Sequence, residues 1–316
     1  MKISLNVIPE CPINEIVQIV KHAENLGFQR CWVYDEGLAT RDVHIVMTAI
    51  ALETKQIEIG PGITNPYTRH PAQTAAAIMT LDELSGGRAF LGIGAGGSLT
   101  LDPLEIRRVK PLTAVKDAIS ITRKLLTGKR VSHDGIIASV EAAQVDYSRK
   151  DIEIWLAGRG PKMLALGGEL ADGVMLDFIY KPELSEYVQK VRNNKPAKIC
   201  YSTAIVTDEQ DLEFVRPHMT YRLVDAPQHV KEKIGIKPAE INKIRSAMSG
   251  GLESASRYVE DRWIAPFIIQ GSPSECKEEL YTICEKNNVD EFLIPMFDMP
   301  NPKQYLEQIA SILIPI

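Results

Sequence analysis

Cysteine is scarce in this chain. Cys11, Cys31, Cys200, Cys276 and Cys284 are odd in number, widely spaced and without a CxxC, so neither a disulfide framework nor a zinc site is indicated, and a reducing, cytoplasmic setting fits. Long apolar runs are missing too. The opening MKISLNVIPE lacks the apolar core of a signal peptide, and no later stretch approaches the roughly 18 residues of a membrane span. There is no extended Lys/Arg run, and a net charge of -5 gives no basic field for nucleic acid or an anionic membrane. The six histidines show no HxH or HExxH, which argues against a metal; of these only His70 falls near a strand end. No G-x-S-x-G elbow and no Walker lysine support serine hydrolysis or P-loop phosphoryl transfer. The partner left by these absences is a small-molecule substrate.

What is present is a core-forming composition and one recurring rhythm. With 316 residues and 45% hydrophobic content the chain can bury a large core, as two ordinary domains or one α/β barrel with insertions. KISLNVI reads as a strand, and Ile13, Ile16, Val17, Val20, Ala23 and Leu26 fall on one face of a helix ending at Gly27. The order repeats: strand 30–34, helix 43–54, strand 57–64, helix 71–84, strand 88–94. After interruptions it resumes with strand 152–157, helix 161–170, strand 172–177, helix 182–193 and a long strand 197–206. Residues 208–264 read as charged and helical, an excursion over a barrel mouth, and DEFLIPMF at 290–297 supplies the eighth strand. Eight strands alternating with helices, with no Pro/Ser/Gly linker, predict a (β/α)8 TIM barrel as one domain over 1–316, with insertions near 97–111, 129–151 and 208–270.

In such a barrel the C-terminal strand ends converge on one face, so residues just after each strand become neighbours. These are Asn6 after strand one, Asp35 and Glu36 after strand two, Gly62, Ile63 and Asn65 after strand three, Gly94 and Gly96 after strand four, and Ala157, Gly158, Arg159 and Gly160 after strand five. Glycines that let backbone lie against a ligand, with few ionisable groups, suit a flat and mostly apolar ring system. In AGRGPKM, Pro161 sits where a helix would start, so backbone amides beside Arg159 and Lys162 suit a phosphate; an ordinary βα turn is the alternative. Gly92, Gly94 and Gly97 fit G-x-G-x-x-G, but no helix opens promptly after them and they belong to the fourth strand, which speaks against a dinucleotide fold; close strand packing also accounts for them. Asp35 and Glu36 could supply a proton or a hydrogen bond, or be solvated loop acids.

In IEIGPGITNP (57–66), GPGITNPYTRHPAQTAAAIMTLDELSGGRAFLGIGAGG (60–97), RRVKPLTAVKDAI (107–119) and GRGPKMLALGGELADGVML (158–176), the chain resembles the bacterial-luciferase-like superfamily. Within it the resemblance is closest to the deazaflavin-dependent methylenetetrahydromethanopterin reductases of archaea. It implies coenzyme F-420, or FMN as the alternative, at the C-terminal mouth, and frequent dimerisation. It also implies a non-prolyl cis peptide at Gly62–Ile63, with Ile63 backing the central ring, Asn65 on the pyrimidine edge, and Gly158 and Gly160 binding the cofactor phosphate. Where those reductases carry glutamate, aspartate and Asp-His, this chain has Asn6, Gly97 and Asp35-Glu36. The implied activity is hydride transfer between the deazaflavin and an organic substrate, methylenetetrahydromethanopterin being the one the resemblance names. The rivals are an FMN-dependent monooxygenase, a catalytically silent flavin-binding protein and an unrelated sugar-phosphate barrel enzyme.

Overall fold

The computed structural model describes residues 1–193, 195–297 and 300–314. All eight expected strands are present: β1 (Lys2–Val7), β2 (Arg30–Val33), β3 (Glu58–Pro61), β4 (Leu91–Ile93), β5 (Ile154–Ala157), β6 (Gly173–Asp177), β7 (Lys198–Ser202) and β8 (Glu291–Met296). They form one parallel sheet in the order β3-β2-β1-β8-β7-β6-β5-β4, the first and last strands meeting through bridges at Ile59–Ala89 and Thr64–Ile93. Between those bridges β3 advances five residues and β4 four, so β3 carries one extra residue as a bulge over 60–63. The Gly62–Ile63 peptide within it is cis, as the resemblance implied.

Helices α1 (Ile13–Asn25), α2 (Val43–Glu53), α3 (Pro71–Ser85), α4 (Pro111–Leu125), α5 (Pro161–Leu170) and α6 (Leu184–Arg192) return the chain between strands. Local chemistry sets their ends. Asp42 accepts hydrogen bonds from the amides of His44 and Ile45 to start α2, Pro71 opens α3, and Gly86 at φ 71° closes it. His70, the histidine near a strand end, is spent on the start of α3, its Nδ1 accepting from the Ala72 amide at 3.2 Å, and takes no place in the cavity described below.

The barrel interior is layered. At the N-terminal end lies a buried cation, Arg30, whose Nε donates to Glu58 (2.6 Å), Nη2 to Glu153 (2.7 Å) and Nη1 to Glu291 (2.7 Å). The indole N–H groups of Trp32 and Trp155 donate to Glu291 (2.8 Å) and Glu153 (2.9 Å), and the Phe90 and Trp155 rings lie 4.5 and 5.0 Å from the guanidinium carbon. The ion cluster is hydrogen-bonded throughout, the condition under which burying charge is tolerated. Above it Trp32, Phe90, Trp155, Met175, Cys200 and Leu293 fill the centre. Space for a ligand in the barrel is left at the C-terminal rim.

Two sequence expectations are revised. The long strand over 197–206 stops at Ser202, where the Thr203 hydroxyl donates to the Phe267 carbonyl (2.6 Å), and Ile205–Val206 pairs instead with Ile269–Gln270. The insertion thus leaves and re-enters the barrel side by side. Nor is it merely a charged cover: α7 (Glu209–Asp225) and the short helices after it enclose their own apolar core, including Met219, Leu223, Trp263 and Phe267. The insertion expected near 129–151, after α4, contains an antiparallel pair, Val131–His133 with Val140–Ala143. Before Pro273 the insertion ends, and α8 (Pro273–Asn287) and α9 (Pro302–Leu313) complete the outer ring. Among the described residues no helix is long and apolar enough to cross a membrane.

Candidate active site

A cavity of about 400 Å³ opens at the C-terminal ends of the strands. Asn6, Asp35, Glu36, Gly62, Ile63 and Asn65 line it from strands one to three, and Gly96, Ala157, Gly158 and Arg159 from strands four and five. Gly94 and Gly160 are not part of its wall. An alanine Cβ at Gly94 would collide with Ile63 Cδ1, so this glycine makes room for the isoleucine rather than for a ligand. Gly92 does the same for the bulge, a Cβ there falling 3.2 Å from Ile63 Cγ2 and 2.8 Å from the Trp32 ring. Close packing therefore explains Gly92 and Gly94, and they present Ile63 to the cavity. Gly160 caps α5 on the exposed side, with open space before it.

Polar groups on the cavity wall are set by the elements that carry them. Asn6, at the end of β1, is buried; its Nδ2 donates to the Gly62 carbonyl (3.3 Å), while its Oδ1 has no hydrogen-bond partner. Asn65 Oδ1 accepts from the amides of Tyr67 (2.9 Å) and Thr68 (3.0 Å), which fixes the turn after the bulge and leaves the Nδ2 donor for a ligand. An unsatisfied acceptor and an available donor on one wall suit a planar heterocycle that carries both N–H and C=O on its edge. Asp35 accepts from the Thr64 hydroxyl at 2.6 Å. Burial raises the Glu36 carboxyl above its ordinary value despite a hydrogen bond from the Thr100 hydroxyl (3.0 Å), so it is the acid best placed to hold a proton.

Several lining residues escaped the sequence reading. Tyr34 sits between β2 and the two acids, Met175 and Asp177 belong to β6, Arg108 comes from the first insertion, and Arg222 and Asp225 come from α7. Asp177 binds the Ser202 hydroxyl (2.9 Å) with one oxygen and Arg222 (2.6 Å) with the other. After it Phe178 takes a left-handed φ of 45°, rare for an aromatic, and its ring lies 4.9 Å from the Arg222 guanidinium carbon. Only the strand-end rule was available to find these residues. It reaches Tyr34 and Asp177, whereas nothing in the local sequence marks Arg222. Among the described residues no group of three or more His, Cys, Asp or Glu side chains could hold a metal ion.

Comparison with known proteins matches this architecture. The 5,10-methylenetetrahydromethanopterin reductase of Archaeoglobus fulgidus is 32% identical over 331 aligned positions, which span 100% of this chain and 99% of its own. That of Methanolobus tindarius is 31% identical over 293 positions, 89% of this chain and 90% of its own. The solved structure of the coenzyme F-420 dependent tetrahydromethanopterin reductase from Methanopyrus kandleri superposes with a TM-score of 0.89 at 26% identity, covering 99% of this chain and 98% of that one. Residues 4–290 match the family model described as Luciferase-like monooxygenase, and the chain belongs to that luciferase-like family.

Proposed function

We propose that the protein is an oxidoreductase that uses coenzyme F-420 to transfer hydride to or from a carbon of an organic substrate. The observation that carries this reading is the end-to-end likeness to F-420-linked reductases together with a strand-end cavity that has Ile63 at its back and complementary Asn6 and Asn65 groups on its walls. When bound, the deazaflavin supplies a two-electron hydride at C5. Gly92 and Gly94 hold Ile63 forward as the backing wall, and Gly62 lets the bulge approach Trp32, where a Cβ would come within 2.6 Å. Gly158 and the start of α5 offer backbone amides to a phosphate. Glu36, its carboxyl raised by burial, stands at the cavity's edge to deliver a proton to the substrate, and Asp35 is fixed by Thr64. Catalysis by this chain is then chiefly positioning of donor and acceptor carbons.

Methylenetetrahydromethanopterin, named in the relatives' activities, is the first substrate to assay. The deciding experiment is titration of the purified protein with coenzyme F-420 and with FMN, oxidised and reduced. Retention of coenzyme F-420 with turnover that consumes no dioxygen supports the reading. Retention of FMN alone, with oxygen uptake, assigns the monooxygenase chemistry for which the family is described.

The working unit in this reading is a homodimer. The outer face of α2 exposes Ile45 and Leu52, 61% and 65% accessible, in a helix whose sequence VHIVMTAIALE has no acidic residue before its last position, and α3 adds Leu84 beside it. A second copy of the chain would cover this stripe.

A further inference from the structure

The cavity has a second wall that the luciferase-like reading leaves without a role. It is built by Tyr34 at the end of β2, by Asp177 and Arg159 on neighbouring strand ends, and by Arg222, which the insertion helix α7 lowers into the barrel mouth. Two guanidiniums here share one carboxylate. Arg222 donates to Asp177 Oδ2 at 2.6 Å, the same oxygen is 3.6 Å from Arg159, and the other oxygen is occupied by Ser202. Asp177 cannot hold both guanidiniums at hydrogen-bond distance; Asp225, exposed at the rim, is the second carboxylate acting on Arg159, and neither acid engages Arg222 Nε. The consequence registers on Arg159, whose guanidinium is held below its ordinary value by burial and then by repulsion from Arg222, with Asp177 and the exposed Asp225 opposing. His218, one turn before Arg222, adds no charge, since burial and the same arginine push it down to about 4.

The donors are also incompletely used. Arg222 Nε is buried and has no hydrogen-bond partner, and the ring of Phe178 lies 4.9 Å from the guanidinium, covering part of its surroundings. Tyr34 touches Arg222 through its hydroxyl, and burial raises the phenol far above neutral pH, so it remains an O–H donor. A salt bridge serving only to anchor α7 would need one arginine and no orphaned donor.

We infer that Arg222 and Tyr34, with Arg159 behind them, form an anion subsite for a carboxylate or phosphate group carried by the substrate. The inference deepens the proposed function and rests on it, because it takes the cofactor to occupy the Ile63 side of the cavity. It makes α7 the element that selects substrate, and it restricts the acceptor to molecules with an anionic group within one cavity's reach of the reacting carbon.

The test is calorimetric titration of inorganic phosphate, and separately of acetate, into the full chain alone and saturated with coenzyme F-420. Saturable binding of either anion in both states is expected, the tighter one naming the group. Arg222→Met is expected to weaken it by at least about tenfold, the loss of a charge-assisted hydrogen bond, while changing cofactor affinity less than twofold. Tyr34→Phe, which removes a single oxygen and keeps the ring, is expected to weaken it severalfold, and it carries the test should Arg222→Met fail to fold. Unaltered anion affinity in the variants, or no saturable binding by the wild type, would overturn the subsite. Loss of anion binding on cofactor saturation would overturn it differently, by assigning the anion to the cofactor's own phosphate. Failure of coenzyme F-420 to bind, with anion binding intact, would fault only the cofactor reading.

Discussion

Gly94→Ala separates two explanations of a glycine that sequence alone cannot separate. If the glycine exists to let a ligand approach, a methyl at 94 blocks the ligand and leaves stability alone. The structure says otherwise: the new Cβ would land on Ile63 Cδ1 and 3.1 Å from the Ala157 carbonyl oxygen. The isoleucine end can move, and with Gly92 of β4 already against its other methyl, the direction open to it is the cavity. An off-rotamer side chain costs about 1 kcal/mol and overpacking about 1–3 kcal/mol, so the expected destabilisation is about 1–2 kcal/mol. A methyl pushed into the cofactor's place is expected to weaken cofactor binding by about tenfold, or 1.4 kcal/mol. Ile63→Ala deletes the colliding carbon, so the double variant should recover about 1 kcal/mol relative to the sum of the single changes. Urea denaturation of the four proteins reads that coupling, and cofactor titration reads the affinity. Gly97→Ala is the control, because a Cβ there meets nothing within 4 Å, and it should stay within about 0.5 kcal/mol of wild type. Additive effects at 63 and 94, or normal stability with lost binding in Gly94→Ala, would refute the packing argument.

Three further outcomes are expected. Because burial raises Glu36, a proton donor there is lost as pH rises through its elevated value; kcat for substrate reduction should fall along that limb, and Glu36→Gln should erase the limb and lower kcat by about 100-fold or more. Burial pushes Glu153 up, but Arg30, Lys198 and Trp155 outweigh it and hold the carboxyl at about 2 against an ordinary 4.5. That native value lies below the unfolded one, so its contribution, about 3 kcal/mol, is complete above roughly pH 4.5 and lost as pH falls toward about 2; urea midpoints across that range should drop steeply for wild type and less for Glu153→Gln. Ile45→Glu with Leu52→Lys should convert the proposed dimer to monomer by sedimentation, and a wild type that sediments as a monomer would dispose of that interface.

The alternation of strands and helices was legible because buried parallel strands announce themselves as short β-branched runs and their helices by period. IEIG, LGI and IWLA needed no tertiary information, and the strand-end rule then gathered Asn6, Glu36, Ile63 and Gly158 into one place. What was illegible depended on contacts distant in sequence. AKICYSTAIV reads as one strand, and only the Thr203 bond to Phe267, 64 residues on, shows why it breaks. Arg30 looks like an ordinary polar residue opening a strand, since its three glutamates are scattered from 58 to 291. Gly94 was read as facing the ligand because a glycine records that a side chain is forbidden without recording what forbids it.

That division between legible and illegible follows the two walls of the cavity, and it bears on function. The wall built from strand ends is specified locally, by glycines, a bulge and an N-terminal helix start, and it is there that the motifs resembling F-420-linked reductases are densest. The opposite wall depends on α7, which reaches the mouth only because the chain leaves β7 at Thr203 and builds a separate core before returning at Ile269. A helix held by its own core can change its cavity-facing residues without disturbing the barrel, so substrate choice can diverge while the cofactor wall stays fixed. On the barrel side Asn6 and Gly97 stand where the reductase resemblance implies acids, and on the insertion side Arg222 faces the cavity beside the exposed Asp225. In the wild type an anionic acceptor should outcompete its neutral ester, and Arg222→Met should abolish the preference while the cofactor still binds.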